Sequence, residues 1–91
     1  MGMLIDLNFV QSGASWMSQP VQMIGQNASV MIEGNGEMSV EQSVDGSNYS
    51  VVEDFKHQFS GVSHCSVIGG LNGLYIRFKS TVKPIKAKLL L

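Results

Sequence analysis

Few residues in this chain have the type and spacing that reaction chemistry needs. His57, His64 and Cys65 are the candidates for a soft-metal site. His64 and Cys65 are adjacent in an alternating run, so they point to opposite faces of a strand and cannot easily bind one ion. Serines are abundant, but none lies in the strand-turn-helix context of an activated nucleophile. We therefore expect no metal, no cofactor and no nucleophilic triad.

Carboxylates are the other candidates for catalysis. A pair of them is what glycoside hydrolysis requires, one as acid and one as base or nucleophile. The acidic residues considered for this role fall at predicted strand and turn positions, where such side chains are usually solvated: Glu33, Glu37, Glu41, Glu53 and Asp54. With no catalytic residues to assign, the sequence predicts a protein that is not an enzyme.

The basic residues form a candidate binding surface. All seven acidic residues precede position 55 and all six basic residues follow it. Arg77 and Lys79 share the outward face of one predicted strand, and Lys86 and Lys88 share that of another. If these strands are neighbours, they form one basic patch. Solvated strand charges, cross-strand pairs and docking to a protein all remain open. Nucleic acid is not expected, because only Tyr75 shares the face as a stacking aromatic.

Trp16 and two methionines complete the candidate contact residues. Trp16 is either a core or loop anchor or, with the tyrosines, part of a sugar-binding face. All six methionines lie in the first 38 residues. Met31 and Met38 are either adaptable core side chains or part of an apolar contact between copies. Met31 alternates with Val30 and Ile32, so it is predicted to point outward, which favours the contact between copies.

Short β-strands are predicted to position these residues. Alternating apolar runs recur about every 8 to 12 residues, as in a sandwich or barrel, and no long stretch shows helical periodicity. Asp45-Gly46 predicts a two-residue hairpin turn, because both residues tolerate positive φ. Gly34-Asn35-Gly36 has no helix after it, so it predicts a second hairpin turn rather than a phosphate loop. Residues 3–10 are predicted to be an opening strand, and residues 55–60 are either a bulged edge or a loop.

The end of the chain carries the clearest strands. In residues 74–80, Leu74, Ile76 and Phe78 are predicted to point inward. A Gly-rich turn at residues 69–73 precedes them. The closing strand, residues 85–91, is predicted to bury Ile85, Ala87, Leu89 and Leu91. The whole pattern predicts an all-β fold: a single antiparallel β-sandwich, jelly-roll-like, with about eight short strands in one domain, residues 1–91.

Composition limits the class of protein. The chain has 91 residues, of which 44% are hydrophobic and only 14% charged, and its net charge is −1. A charge this small predicts no general attraction to nucleic acid or membrane. Cys65 is the only cysteine, so no intramolecular disulfide is possible. We expect a soluble protein made in a cytoplasm, because neither a secretory leader nor an apolar run of membrane-spanning length is visible.

Several motifs follow one plan: Ile32-Glu33-Gly34, the run from Ser39 to Gly46, a tyrosine three residues later, and Leu74-Tyr75-Ile76-Arg77-Phe78. This plan resembles the small β-sandwich proteins of tailed bacteriophages, of the head-decoration and virion-accessory kind, over roughly residues 20–91. The resemblance implies a non-enzymatic structural role in a virion, in several copies, after synthesis in the host cytoplasm. The implied partners are copies of itself and other virion proteins, and no catalytic residue is carried over.

A carbohydrate-binding module for a cell-surface glycan is the alternative function. Both functions would use residues on the surface of the sandwich. The candidate interaction surface comprises Trp16, Met31, Met38, Tyr75, Arg77, Lys79, Lys86 and Lys88.

Overall fold

The computed structural model describes residues 3–68 and 72–91, which form an all-β fold. The described ranges contain eight strands: β1 (Leu4–Asp6), β2 (Phe9–Ser12), β3 (Ser15–Ser18), β4 (Val21–Gln22), β5 (Asn27–Ser43), β6 (Ser50–Ile68), β7 (Tyr75–Ser80) and β8 (Lys86–Leu90). The predicted fold class is confirmed, but two strands are not short, since β5 has 17 residues and β6 has 19. No helix in these ranges has the length and hydropathy to cross a membrane.

β5 is the central strand of the sheet. Its residues 29–33 pair antiparallel with β8, and its residues 38–43 pair antiparallel with β7. β6 runs antiparallel along the other edge of β5. β1 pairs with β8, whereas β3 and β4 pair with β7, and β2 pairs with β3. The sheet therefore folds into a first layer, β6-β5-β8-β1, and a second layer, β6-β5-β7-β3-β2, which form an antiparallel, jelly-roll-like β-sandwich.

The two layers bury a shared hydrophobic core. Ile32 and Leu89 of the first layer and Val40 and Phe78 of the second are all 0% exposed. The alternation predicted for β7 and β8 is confirmed at most positions, but Ile85 is 77% exposed because it precedes β8. The buried apolar residues are Leu7, Val21, Met23, Ala28, Val30, Ile32, Met38, Val40, Phe59, Ile76, Phe78, Ala87 and Leu89.

The predicted hairpin turn at Gly34-Asn35-Gly36 is wrong, because these residues lie inside β5. β5 changes partner here, and the β7–β8 loop (residues 81–85) crosses close to its backbone. A Cβ atom on Gly36 would lie 2.8 Å from both Thr81 Oγ1 and Val82 Cγ2. Glycine in a strand interior often marks such a close approach, which the sequence pattern does not distinguish from a turn.

The hairpin at Asp45-Gly46 joins β5 to β6 as predicted, but its connection is longer than two residues. The last pair of the ladder is Gln42 with Ser50. Residues 44–49, which we call the Asp45 loop, lie outside both strands. Val44 is 88% exposed, so it does not continue the buried face of Val40.

The predicted opening strand over residues 3–10 is divided into β1 and β2. The Gln19 side chain lies at the division: its Nε2 donates to the carbonyl oxygen of Asp6, and its Oε1 accepts from the N–H of Asn8, both at 2.8 Å. Leu7 is buried between them. One side chain thus satisfies the backbone groups at the point where the chain passes from the first layer to the second.

β6 extends through the ambiguous residues 55–60. Ser39 of β5 is opposite Lys56, but Glu41 is opposite Val51, so residues 52–55 bulge opposite Val40. Within residues 3–68 and 72–91, β6 pairs with β5 alone, and its other edge is free. Part of the predicted Gly-rich turn, residues 69–71, lies outside the described residues.

Candidate interaction surface

The outer face of the first layer carries exposed apolar side chains. Leu4 and Leu90 are directly opposite each other and are 61% and 48% exposed. Met31 lies half-buried on the same face, and Val62 is 57% exposed. We call these four residues the apolar face. Neighbouring exposed apolar residues on a small protein often mark a site of interaction.

A depression of about 230 Å³ lies within the apolar face. Leu4, Met31 and Leu90 line it, together with Ser29, Val30, His64 and Lys88. Met31 lies between His64 on β6 and Lys88 on β8 in the register of the sheet. Directly opposite residues share a face, so polar side chains flank an apolar centre. This arrangement suits an apolar side chain inserted from another protein.

Charges of both signs surround the apolar face. Lys88 Nζ lies 3.6 Å from Asp6 Oδ1, and Lys86 is directly opposite Glu33 on β5. An exposed pair of this kind contributes about 1 kcal/mol or less to stability. Each lysine has an acidic neighbour, so this surface is mixed in charge rather than basic.

The predicted single basic patch does not form among the described residues. β7 and β8 pair with different halves of β5 and are not neighbours in the sheet. Arg77 and Lys79 therefore lie on the outer face of the second layer, and Lys86 and Lys88 on that of the first. Alternation within each strand predicted these faces, but it contained no information about which strands are adjacent.

Arg77 is bound to neighbouring side chains rather than free. Its Nε donates to Glu41 Oε1 at 2.8 Å, and its Nη2 lies 2.7 Å from the same oxygen. The side chains of Arg77 and Glu41 are only 30% and 13% exposed. The guanidinium carbon also lies 3.9 Å from the centroid of the Tyr49 ring, a cation–π contact. These contacts join the end of the Asp45 loop to β7.

Tyr75 also contacts the Asp45 loop. A Cβ atom on Gly46 would lie 3.4 Å from the Tyr75 ring, so the ring packs against the glycine backbone. Gly46 has a φ of 78°, which glycine adopts without strain. Of the predicted surface residues, Tyr75 and Arg77 therefore serve to position a loop.

Asp45 stabilises its loop through several hydrogen bonds. Its Oδ1 accepts the backbone N–H groups of Ser47 and Asn48 at 2.9 Å each and the Ser43 hydroxyl at 2.8 Å. Its Oδ2 accepts from Asn48 Nδ2 at 2.8 Å. The backbone N–H of Asn48, followed by that of Ser47 and the two side chains, holds the pKa of Asp45 well below its usual range.

The aromatic residues proposed for sugar binding lie apart. Trp16 is opposite Ser80 at one end of β7, and Tyr75 lies at the other end. These positions are about 17 Å apart along the strand. Trp16 is half-buried, and Lys83 Nζ lies 5.6 Å from the centroid of its ring. Lys79 is half-buried and lies opposite Met17, on the other face of the sheet from Trp16. The two rings do not form a single platform.

The two methionines occupy opposite faces of β5. Met38 is 0% exposed and belongs to the core, so its predicted surface role is wrong. Met31 lies on the outer face, as predicted. Met38 is seven positions after Met31 on one continuous strand, and an odd offset places their side chains on opposite faces. The sequence pattern did not predict that the two methionines lie on opposite faces, because it predicts a turn at the glycines between them.

His57 and Ser63 are the described residues that come closest to a base and a nucleophile. His57 Nε2 lies 2.7 Å from Ser63 Oγ, across the bend of β6. Among the described side chains, none forms a further hydrogen bond to His57, and no three His, Cys, Asp or Glu residues are grouped to hold a metal ion. Burial raises the pKa of the nearby Cys65 thiol. The His57–Ser63 contact joins the two halves of β6, and this structural role is sufficient to explain it.

No protein-family model matches the sequence, and no curated protein matches it. Among solved structures, the chain is similar to the Drosophila melanogaster CENP-C cupin domain, with 10% identity and a TM-score of 0.41, over 93% of this chain and 74% of that chain. It is also similar to Drosophila melanogaster CENP-C bound to CAL1, with 9% identity and a TM-score of 0.40, over 93% and 80% of the two chains.

Three residues of the apolar face were missed in the sequence: Leu4, Val62 and Leu90. A signal existed for Leu90, since the alternation that points Lys86 and Lys88 outward also points Leu90 outward. For Leu4 and Val62, only the pairing of β1 with β8 and of β6 with β5 places them on this face.

Proposed function

We propose that this chain is a non-enzymatic structural protein of a phage particle, a capsid decoration or auxiliary virion protein, that acts through contacts of its β-sandwich surface. The phage part of the proposal comes from the sequence resemblance described above. The geometry supports the general part, namely that the surface of the sandwich contacts other protein molecules. The partners are copies of this chain and other virion proteins.

The exposure of Leu4 beside Leu90 is the observation that carries the proposal. Burying a fully exposed leucine side chain contributes roughly 1.5–3 kcal/mol; because Leu4 and Leu90 are each only about half exposed, a partner that covers both gains roughly that amount in total. The surrounding Asp6, Lys86 and Lys88 provide charges of both signs that orient such a partner. In this proposal the apolar side chains provide the affinity for the partner, and the surrounding charges provide the specificity.

Incorporation into particles tests the proposal. The phage or prophage that carries the coding sequence is induced, and purified particles are assayed for the tagged chain. We expect the wild type in many copies per particle and the double variant Leu4→Lys/Leu90→Lys reduced by at least about tenfold. The control Val10→Lys/Val44→Lys places the same charges at positions that are 67% and 88% exposed, outside the apolar face, and is incorporated normally.

Particles without the wild-type chain would contradict the proposal, as would normal incorporation of Leu4→Lys/Leu90→Lys. A glycan array tests the alternative function in parallel. Binding to a glycan that Trp16→Ala abolishes, in a chain absent from particles, would favour a carbohydrate-binding module.

A further inference from the structure

The free edge of β6 differs between its two halves. The half before Gly61 carries Glu53 and Lys56 and the bulge at residues 52–55. Charges and bulges are the features that protect an edge from pairing with another strand. Residues 62–68 contain no Asp, Glu, Lys, Arg or Pro, and the edge that adjoins β5 pairs with it without a bulge. This half of the edge has none of these protections.

The other edge strands of the described fold are protected by their length. β1 has three residues and includes Asp6, and β2 has four residues. Strands this short offer few backbone groups to a partner. Among the described strands, the second half of β6 is therefore the long, regular edge that another strand can join.

The geometry points to antiparallel pairing of residues 62–68 with the same residues of a second copy. The inference rests on the proposed function, in which the sandwich surface contacts copies of itself, and it names the strand that does so. An antiparallel pair of identical strands is related by a two-fold axis, so one segment supplies both sides of the contact. Without charged residues in the segment, the two-fold axis brings no like charges together.

The pairing also extends the apolar face. Val62 and His64 lie on the outer face of β6. His64 is opposite Met31, which is opposite Lys88 of β8, and Val62 is opposite Glu33 in the next row. Joining two β6 edges makes the first layers of both copies one continuous sheet. The two apolar faces then lie on the same side of that sheet and form a surface about twice as wide for a further virion protein.

Oligomeric state tests this inference. Sedimentation velocity and light scattering are measured on the whole chain from roughly 1 µM to 1 mM. Because a strand-edge contact is smaller than a standard interface, we expect a reversible dimer that dissociates in roughly the micromolar range. Amide exchange at residues 62–68 should slow at alternate positions as the concentration rises, because only alternate N–H groups of an edge point outward.

The variant Val62→Lys/Ser66→Lys places two cations on the outer face of each paired strand. Val62 is opposite Glu33, and Ser66 is opposite Ser29, so the monomer accommodates both changes. We expect a folded monomer at all concentrations. The control Val10→Lys/Ser12→Lys places the same charges on the exposed edge strand β2 and should dimerise like the wild type. If the double variant does not fold, Ser66→Lys alone is assayed in the same way.

The inference is overturned by a wild type that is monomeric at 1 mM, by a dimer that persists in folded Val62→Lys/Ser66→Lys, or by exchange protection at another edge. A dimer that is lost instead in Leu4→Lys/Leu90→Lys also overturns it, but it agrees with the proposed function. A dimer with the expected behaviour in a chain absent from particles leaves the pairing intact and contradicts the proposed function.

Discussion

Gly34 of β5 lies directly opposite Gly61 of β6, at the point where both strands bend from one layer to the other. Their φ angles are 148° and 74°, in regions that residues with a side chain rarely adopt. A Cβ atom on Gly34 would lie 3.2 Å from the Phe59 ring. Each strand of the β5–β6 hairpin has a glycine at this pair of opposite positions, so both strands bend at the same place.

Gly36→Ala is expected to destabilise the protein by about 1–3 kcal/mol, because its Cβ would overlap Thr81 and Val82 of the β7–β8 loop. Urea unfolding followed by circular dichroism measures the change. Asn35→Ala, at the adjacent exposed position, is the control and should alter the free energy of unfolding by less than about 0.5 kcal/mol. Equal stability of Gly36→Ala and wild type would contradict the close packing of the loop.

Gly61 tests backbone conformation separately from packing, since a Cβ there would meet no atom within 4 Å. Gly61→Val should cost about 1–2 kcal/mol through its left-handed backbone alone. Gly61→Asn should cost less, because asparagine tolerates this conformation better. Thermal unfolding of the two variants provides the comparison, and a valine variant as stable as the asparagine variant would show that the bend does not need a positive φ.

Tyr49→Phe is expected to leave stability unchanged or raise it by about 1 kcal/mol. The Tyr49 hydroxyl is buried without a hydrogen-bond partner among the described residues, so its removal relieves a desolvation cost. Tyr49→Leu removes the ring that contacts Arg77 and should destabilise the protein by about 1 kcal/mol. A Phe variant less stable than the Leu variant would mean that the hydroxyl, rather than the ring, holds the loop.

Asp45 is expected to make stability depend on pH in the acid range. Its pKa is lower in the folded protein than in the unfolded chain, so the unfolded state takes up the proton first. The stabilisation is present above about pH 4 and is lost as the pH falls through the folded pKa. Unfolding midpoints between pH 7 and pH 2 should decline less steeply in Asp45→Asn than in wild type.

Ser47→Ala is the control for the Asp45 variant, because it keeps the backbone N–H that the carboxylate accepts. It should retain the pH dependence of the wild type. If Asp45→Asn and wild type decline in parallel, the hydrogen bonds of the Asp45 loop do not act on the ionised carboxylate as described.

Local alternation was sufficient to predict the fold class and several faces. Ile76 and Phe78 are buried, as the pattern of β7 predicts, and Lys88 and Met31 lie on the outer face. The sequence signal is strong there because a half-buried strand repeats every two residues. Asp45-Gly46 likewise marked a genuine hairpin, although the carboxylate stabilises a wider loop.

Long-range pairing was not predictable from these patterns. Whether Gly36 turns the chain or bends a strand depends on the β7–β8 loop, which is distant in sequence. The face of Met38 was mispredicted for this reason, because it depends on β5 being continuous. The grouping of the basic residues was not predictable either, because it depends on which half of β5 pairs with β7 and which with β8. The apolar face was missed for the same reason, since Leu4 and Met31 become neighbours only through β8.

Both layers are built on the same hairpin, β5 with β6, and this constrains how the protein can come apart. Melting of either layer would remove from the other the two strands that both layers share, so a partly opened state would not be stable. We expect loss of structure in one cooperative step, with identical curves from every spectroscopic probe.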